Sequence, residues 1–253
     1  MVAGGAVSWS RLVALTGLLL VQACAGQEDP LYAGVQPALY LTGQFNPETN
    51  EYFAPVTAFG VEFDNTYVGY IRNETGQALA TMIAAFNAEY PDIDLPVVSA
   101  TRNFTSQNSI WRSKWFTTYS DIPGAVDRAL AILEYSSMPG TSRHHWGSDV
   151  DLYALDDIYF EYGDGQIIYD WLTEHGGDYG FCQPYTAGRC AGYNEEKWHW
   201  SYMPLSEPML TDWWNIFGWD ICNFLDNVHF VGIEQAGFMA PAYVSTVNQQ
   251  CKA

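Results

Sequence analysis

Apolar residues recur along the chain with the roughly 3.6-residue spacing of helices in some segments and as short β-branched or alternating runs in others. Residues 75–90 place Leu79, Met82 and Phe86 on one side at helical spacing, and Pro91 ends the run. The other segments with helical spacing are residues 105–116, 124–137 and 165–177, with shorter patches near 207–226 and 241–250. The segments that predict strands are residues 95–102, 148–152 and 196–203. The pattern therefore predicts helices and short strands mixed along the chain.

The N-terminus combines one basic residue, Arg11, with an apolar run and then a patch of small residues. This order is typical of a secretory signal, and the run is shorter than the roughly 20 apolar residues that span a bilayer. The residues around Cys24 resemble a bacterial lipoprotein box. We therefore predict a signal peptide over residues 1–24 with Cys24 as the lipidation site; ordinary cleavage after Ala25 or Gly26 is the alternative.

The chain is strongly acidic and rich in aromatic residues. Its 29 acidic and 10 basic residues give a net charge of −19 at pH 7, and aromatic residues make up 16% of the sequence against 15% charged residues. This composition is typical of a folded rather than a disordered chain. Nucleic acid and anionic lipid surfaces both bind through clustered lysine and arginine, so the charge balance argues against either as the partner.

Four cysteines follow the predicted signal, and an even number in an exported chain predicts disulfide bonds. Four cysteines allow three pairings. Only eight residues separate Cys182 from Cys190, which favours a local loop. The preferred pairing is therefore Cys182 with Cys190 and Cys222 with Cys251. A zinc site made of these cysteines is disfavoured because the chain has no Cys-x-x-Cys pair.

The stretch "PGTSRHHWGSDVDLY", residues 139–153, brings two histidines and two aspartates close to a glycine. Gly147 allows a tight turn, after which a strand can double back so that Asp151 faces His144. Imidazole and carboxylate groups are zinc ligands, and a catalytic zinc site has three protein ligands. The third candidate is His199, which lies between two tryptophans.

Two further residues complete the set that a zinc hydrolase needs. Glu196, three positions before His199, can act as general base toward the attacking water. Arg102, at the end of a predicted strand, can face a cleft and stabilise the oxyanion that forms when an amide is attacked. Each feature alone has an ordinary explanation: a polar turn at the two histidines, core packing around His199, and a surface ion pair for Arg102. Their combination favours catalysis.

Three linked motifs and one further segment carry a resemblance to a known family. "SRHHWGSDVD" looks like the Ser-x-His-x-x-Gly-x-x-x-Asp motif, and "EKWHW" looks like the Glu-x-x-His motif, of VanY-type zinc D-alanyl-D-alanine carboxypeptidases. "SATRNFTSQNSIWRSKW", residues 99–115, is similar to the upstream segment of that family, and "YLTGQFNP", residues 40–47, resembles an entry segment of some members. Order and spacing agree over residues 99–202.

The resemblance implies a single compact α+β domain with helices packed on a mainly antiparallel sheet, the hedgehog/DD-peptidase-like fold. It implies Zn²⁺ as the cofactor and the D-Ala-D-Ala end of peptidoglycan stem peptides as the substrate. The site residues that it implies are the metal ligands His144, Asp151 and His199, the catalytic Glu196 and Arg102, and the substrate-binding Ser142 and Gln107.

The predicted organisation is a signal peptide (1–24), a linker (25–38), a zinc peptidase domain (39–204) and a C-terminal aromatic extension packed on the core (205–253). We expect a monomeric D,D-carboxypeptidase, exported to the bacterial periplasm and anchored to the membrane through its lipid. The alternatives on the same zinc site are an L,D-carboxypeptidase, a D,D-dipeptidase or a murein endopeptidase. A non-catalytic lipoprotein that binds the cell wall is a further alternative.

One position departs from the family pattern, and one residue competes for a ligand role. Position 149 is Asp, where many members carry a small residue such as Ala. A second carboxylate therefore lies two residues from Asp151 on the same strand face, where it can hydrogen-bond His145 or Arg143. His145 competes with His144, but only His144 fits the His-x-x-Gly spacing.

Overall fold

The structure, a computed structural model, describes Met1 and residues 30–252. The predicted signal peptide, its lipidation site Cys24 and the first part of the predicted linker lie outside the described residues. Within the described part, no helix is long and apolar enough to cross a membrane.

Helices form in every segment where helical spacing predicted them. In chain order the α-helices are α1 (Pro37–Leu41), α2 (Asn73–Glu89), α3 (Phe104–Ser113), α4 (Ala125–Ile132), α5 (Gly163–His175), α6 (Met203–Trp213), α7 (Ile221–Asn227), α8 (Ile233–Ala236) and α9 (Ala240–Ser245). A π-helical turn, Lys114–Thr118, continues α3 directly. Helix α4 ends five residues earlier than the predicted 124–137 because the chain after Ile132 turns to line the cleft described below.

The strands form two antiparallel sheets. In chain order they are β1 (Phe53–Pro55), β2 (Tyr70–Arg72), β3 (Val97–Ser99), β4 (Asp149–Leu152), β5 (Phe181–Cys182) and β6 (His199–Tyr202). Strands β1 and β2 pair with each other, and the larger sheet has the order β3-β4-β6-β5. The predicted strands are β3, β4 and β6, whereas β1, β2 and β5, of two or three residues each, were not predicted. An isolated bridge between Phe63 and Val97 is parallel. The α+β prediction with a mainly antiparallel sheet is thus confirmed.

The register of the larger sheet positions the polar side chains. Asp151 in β4 is paired with Ser99 in β3 on one side and with His199 in β6 on the other. Asp149 is paired with Ser201. Because successive side chains point to opposite faces, all five of these residues project from the same face of the sheet.

The opposite face of the sheet is apolar and covered by helices α2 and α5. Val150 and Trp200, which alternate with the polar residues, are buried in one cluster with Phe86 of α2 and with Ile168 and Trp171 of α5. Burial of each large apolar side chain contributes roughly 1.5–3 kcal/mol. The cluster therefore fixes which face of β4 and β6 is left for chemistry.

A second apolar cluster joins the C-terminal helices to the rest of the domain. Trp213, Phe217 and Phe224 are fully buried, and they belong to the same cluster as Trp111 of α3 and Trp146. The aromatic residues after position 204 therefore contribute to one continuous core with the segments that carry the candidate ligands.

The predicted linker, residues 25–38, is packed on the domain from Pro30 onward. The Arg72 guanidinium donates hydrogen bonds to the carbonyl oxygens of Pro30 and Leu31, and Tyr32 is buried. The buried Arg72 uses these carbonyl groups as acceptors, so the described part of the predicted linker packs on the domain.

The disulfide pairing preferred from the sequence is wrong. Cys182 of β5 is bonded to Cys251, with their Cα atoms 5.7 Å apart, whereas Cys190 and Cys222 are exposed free thiols. Sequence proximity suggested a local loop, but the partner of Cys182 is decided by the core, which brings the C-terminal turn, Gln249–Cys251, beside β5.

We expect the double variant Cys182→Ala/Cys251→Ala to unfold with a free energy about 2–5 kcal/mol lower than the parent, since the bond closes a 69-residue separation. Urea denaturation under non-reducing conditions measures this loss. The matched control is Cys190→Ala/Cys222→Ala, which changes two exposed thiols and should leave the midpoint in place. Equal midpoints for all three proteins would rule out this pairing.

Candidate active site

The first candidate ligand lies in a tight turn that leads into β4. His144 belongs to a 3-10 turn, Arg143–Trp146, and the next residue, Gly147, has φ of 73°. This left-handed conformation favours glycine. A Cβ atom at Gly147 would also lie only 2.5 Å from the Phe53 ring. The turn predicted at Gly147 is therefore confirmed, and it reverses the chain so that His144 returns toward Asp151.

The structure brings His144, Asp151 and His199 together in one buried group. One potential ligand atom from each lies within 4.8 Å of the others. His144 Nε2 is 3.2 Å from Asp151 Oδ1, and His199 Nδ1 is 3.3 Å from the same oxygen. Two imidazole nitrogens and one carboxylate oxygen form a donor set that zinc accepts.

The other ring nitrogen of each histidine is held by the protein. His144 Nδ1 lies 2.9 Å from the carbonyl oxygen of Ala100, and His199 Nε2 lies 2.9 Å from Asp149 Oδ1. Both partners are acceptors, so these nitrogens carry the hydrogen and donate it. In the neutral rings the lone pairs therefore lie on His144 Nε2 and His199 Nδ1, and both of these atoms face Asp151. Metal-ligating histidines are usually oriented in this way.

Two atoms of the group are buried without a hydrogen-bond partner in the described part of the chain. They are His144 Nε2 and Asp151 Oδ1. A buried polar atom without a partner costs free energy, and a cation between these atoms would satisfy both. The residues present therefore fit a zinc ion.

The charges of the three residues suit a cation as well. Burial opposes ionisation of Asp151, but the His144 and His199 imidazoles outweigh burial and hold the pKa of Asp151 well below its usual range. Burial lowers the pKa of His144 to about 4, which keeps that ring neutral. Burial also opposes protonation of His199, yet the neighbouring carboxylates, Asp149 first among them, outweigh burial and raise the pKa of His199 well above its ordinary value. A metal would therefore take the place of the proton on His199 Nδ1. An ionised carboxylate beside a neutral imidazole attracts a positive ion.

Glu196 lies next to the donor atoms. It occupies the loop before β6, where its backbone N–H donates to the carbonyl oxygen of Tyr185 at 2.9 Å. Its Oε2 atom is 3.3 Å from His199 Nδ1. Burial raises the pKa of Glu196. A carboxylate in this position can take up a proton from a reacting group beside the donor set.

Arg102 follows β3 and points at the same group. Its Nη1 atom is 3.3 Å from Asp151 Oδ2 and donates to Ser99 Oγ at 2.6 Å. Its Nε atom donates to Gln107 Oε1 at 3.1 Å. The Gln107 amide nitrogen in turn donates to the carbonyl oxygen of Ser137 at 2.8 Å. Gln107 therefore holds Arg102 in place, and both groups of its amide are used within the protein.

These residues open onto a cleft of about 500 Å³. Its walls combine the candidate ligands and Glu196 with cationic, acidic and aromatic side chains. They include Arg102, Gln107, Ile110, Lys114, Tyr135, Asp156, Asp157, Tyr185 and Trp198. This volume lies within the range of pockets that bind small-molecule ligands.

His145 and Ser142 stand apart from the cleft. His145 Nδ1 lies 2.6 Å from the carbonyl oxygen of Arg102, and the backbone N–H of Gly140 donates to His145 Nε2 at 3.1 Å. With both nitrogens bonded to the backbone, His145 has none left for a metal. Ser142 is 1% exposed and is absent from the cleft walls among the described residues.

Lys114 and Tyr185 line the cleft but were not singled out from the sequence. Lys114 follows Gln107 by two helical turns on α3 and its continuation, so their spacing was a usable signal once Gln107 was chosen. The Tyr185 ring packs against the His199 ring with centroids 4.8 Å apart. Tyr185 lies in a loop between β5 and β6, where no periodic pattern marks it.

A family model described as VanY, D-alanyl-D-alanine carboxypeptidase, matches residues 69–205, which is more than half of the chain. The chain belongs to the VanY family. The match includes β3, β4 and β6 and the loops that carry the candidate site, and it ends just inside α6. The VanY resemblance read from the sequence is confirmed.

Several solved structures of carboxypeptidases and related peptidases are similar to this chain. The LdcB LD-carboxypeptidase shares 24% identity at a TM-score of 0.48, covering 63% of this chain and 70% of that one. A variant of the vancomycin-resistance D,D-pentapeptidase VanY in complex with Zn(II) shares 24% identity at a TM-score of 0.46, covering 64% of this chain and 88% of that one. VanYB in complex with D-alanine-D-alanine shares 23% identity at a TM-score of 0.46, covering 65% of this chain and 87% of that one. No curated protein matches the chain.

Proposed function

We propose that this protein is a zinc-dependent D,D-carboxypeptidase that removes the terminal D-alanine from peptidoglycan stem peptides. The observation that carries the proposal is the group of three buried donor atoms, from His144, Asp151 and His199, beside an open cleft. Membership of the VanY family supports a peptidase that acts on peptidoglycan.

The chain's own residues supply the rest of the chemistry. Zinc, when held by the three donors, acts as a Lewis acid in amide hydrolysis. Glu196 accepts the proton of the attacking water and passes it to the leaving amino group. Burial raises the pKa of Glu196, which makes its carboxylate a better proton acceptor than an exposed one. The Arg102 guanidinium, fixed by Gln107, stabilises the negative charge that develops on the carbonyl oxygen.

A second cation favours a substrate that ends in a free carboxylate. Gln107, Ile110 and Lys114 share one face of α3 and its continuation, and all three line the cleft. Arg102 is already bonded to Asp151, whereas the Lys114 side chain has no ion pair or hydrogen bond with any described residue. The charge of Glu196 acts on this lysine, but an ammonium group that lines the cleft without an ion pair suits a substrate carboxylate. This arrangement supports a carboxypeptidase over an endopeptidase.

We expect Lys114→Met to raise KM for a peptide acid about 10-fold or more, because a hydrogen bond to a charged group contributes about 1.5–3 kcal/mol. The KM for the corresponding peptide amide should change little. Steady-state kinetics on both peptides measures the difference, with Lys252→Met, a lysine outside this cleft, as the control. An equal change for acid and amide would remove Lys114 from carboxylate recognition.

The place of action that we propose is the cell envelope outside the cytoplasm, with the protein a monomer held at the membrane through a lipid on Cys24. Incorporation of a labelled fatty acid tests the anchor, and Cys24→Ser is the control. Label that persists in this variant would place the lipid on another residue, and a parent protein that takes up no label would exclude a lipid anchor.

Mass spectrometry of purified muropeptides after incubation with the zinc-loaded protein tests the activity. Loss of one D-alanine from pentapeptides supports the proposal. Loss of D-alanine from tetrapeptides alone indicates an L,D-carboxypeptidase, loss of a dipeptide indicates a D,D-dipeptidase, and cleavage of cross-linked dimers indicates an endopeptidase. A zinc-loaded preparation that leaves every muropeptide intact would contradict a peptidase of this class and favour a binding protein.

A further inference from the structure

An arginine and an aspartate form an ion pair that is completely buried beneath the candidate metal group. Arg143 Nε donates to Asp149 Oδ1 at 3.0 Å, and both side chains are 0% exposed. Removing two charges from water costs several kcal/mol for each ion, so such a pair is often neutral or unfavourable for stability. Its presence two residues from Asp151 therefore calls for a role other than stabilising the fold.

The aspartate decides which nitrogen of His199 carries the hydrogen. Asp149 Oδ1 lies 2.9 Å from His199 Nε2, and Asp149 Oδ2 accepts from Ser148 Oγ. An ionised carboxylate can only accept hydrogen bonds, so His199 Nε2 must donate. The lone pair of the neutral ring then lies on Nδ1, which is the nitrogen that faces Asp151.

The arginine holds the aspartate in this position. Arg143 Nη2 donates to Ser201 Oγ at 2.6 Å, and the guanidinium lies 4.7 Å from the centre of the Trp146 ring. Ser201 and Asp149 are directly paired across β4 and β6. The pair is thus attached to the same two strands that carry Asp151 and His199.

The two candidate imidazole ligands differ in the charge of the group that accepts their other ring N–H. His144 is held by the neutral carbonyl oxygen of Ala100, whereas His199 is held by a carboxylate. Hydrogen bonds to an ionised acceptor are roughly twice as strong as neutral ones, and a carboxylate partner makes an imidazole a stronger metal ligand.

We infer that Asp149 is a positioning residue for the metal, and that Arg143 is its buried counter-ion: together they fix the ring orientation and tautomer in which His199 presents Nδ1 to zinc. The inference rests on the proposed zinc site, but it concerns residues that the ligand set does not include. Loss of such a supporting carboxylate typically lowers metal affinity 10- to 100-fold.

Zinc affinity, measured by competition with a chromophoric chelator, separates this role from a structural one. Asp149→Ala leaves a buried arginine unpaired, so it should lower both zinc affinity and thermal stability. The double variant Arg143→Met/Asp149→Ala removes both charges and should recover much of the melting temperature. We expect its zinc affinity to stay 10- to 100-fold below that of the parent, because His199 Nε2 still lacks its acceptor. Asp149→Asn, which keeps a neutral acceptor, should fall between the parent and the alanine variant.

Two control variants show whether loss of a charge, or of an Arg143 hydrogen bond, lowers zinc affinity by itself. Asp156→Asn removes the same charge from an exposed position in the cleft wall, and Ser201→Ala removes a bond of Arg143 without touching His199. Both should bind zinc as the parent does, to within about threefold. If the double variant regains the parent's zinc affinity together with its stability, the pair is only structural and the inference is overturned. If the parent itself binds no zinc, the proposed function fails first, and the inference with it.

Discussion

Replacing Glu196 with glutamine is expected to lower kcat about 10³-fold while zinc stays bound. General acid–base catalysis contributes roughly 10²–10⁴-fold to enzymatic rates. Glutamine keeps the size of the side chain but cannot take up the proton of the attacking water. The three donor atoms come from other residues, so the metal content of the variant should equal that of the parent.

Steady-state release of D-alanine and metal analysis of the same preparation measure these two quantities. The matched control is Glu195→Gln, which changes the neighbouring carboxylate, one that accepts a hydrogen bond from the backbone of Ala187. We expect near-parental turnover from this control. A Glu196→Gln enzyme that keeps more than about a tenth of the parent's kcat would show that another group serves as the base.

The adjacent histidines His144 and His145 should respond in opposite ways to substitution by alanine. His144→Ala removes a candidate ligand, so zinc affinity should fall by more than the roughly 100-fold that a supporting residue contributes. D-alanine release should fall to the background rate at the same time. The fold should survive, since the one bond lost is to the Ala100 carbonyl.

His145→Ala should instead weaken the fold. Both nitrogens of this ring are bonded to backbone groups, of Arg102 and Gly140, and each buried group left unpaired costs about 1–3 kcal/mol. Chemical denaturation should show the loss, while the zinc affinity of the folded fraction should stay close to that of the parent. The reverse pattern, with His145→Ala losing zinc and His144→Ala keeping it, would exchange the two assignments.

The metal group was predictable because its signal is local in each of three segments. A histidine four positions from a strand, a glycine that permits the turn and an aspartate at the fourth position after it carry their geometry in their spacing. The Glu-x-x-His segment is equally short-ranged. The sequence therefore predicted that His144, Asp151 and His199 would meet, and the paired strands β4 and β6 explain how they do.

Features decided by tertiary packing were not predictable in this way. The partner of Cys182 is 69 residues away and is selected by the aromatic core under the C-terminal helices. The function of Asp149 depends on the cross-strand register, which places it near His199 rather than His145. Pro30 and Leu31 of the predicted linker are packed on the domain because the buried Arg72, about 40 residues later, donates hydrogen bonds to their carbonyl groups.

The register of β4 against β6 has a consequence for how the protein folds. Asp151 and His199 are direct partners across these strands, although almost 50 residues separate them in the chain. A slip of one residue would turn either side chain to the helix-covered face. A metal that absorbs visible light only in the assembled site, such as Co²⁺, would therefore report the moment in refolding at which these two strands reach their native alignment.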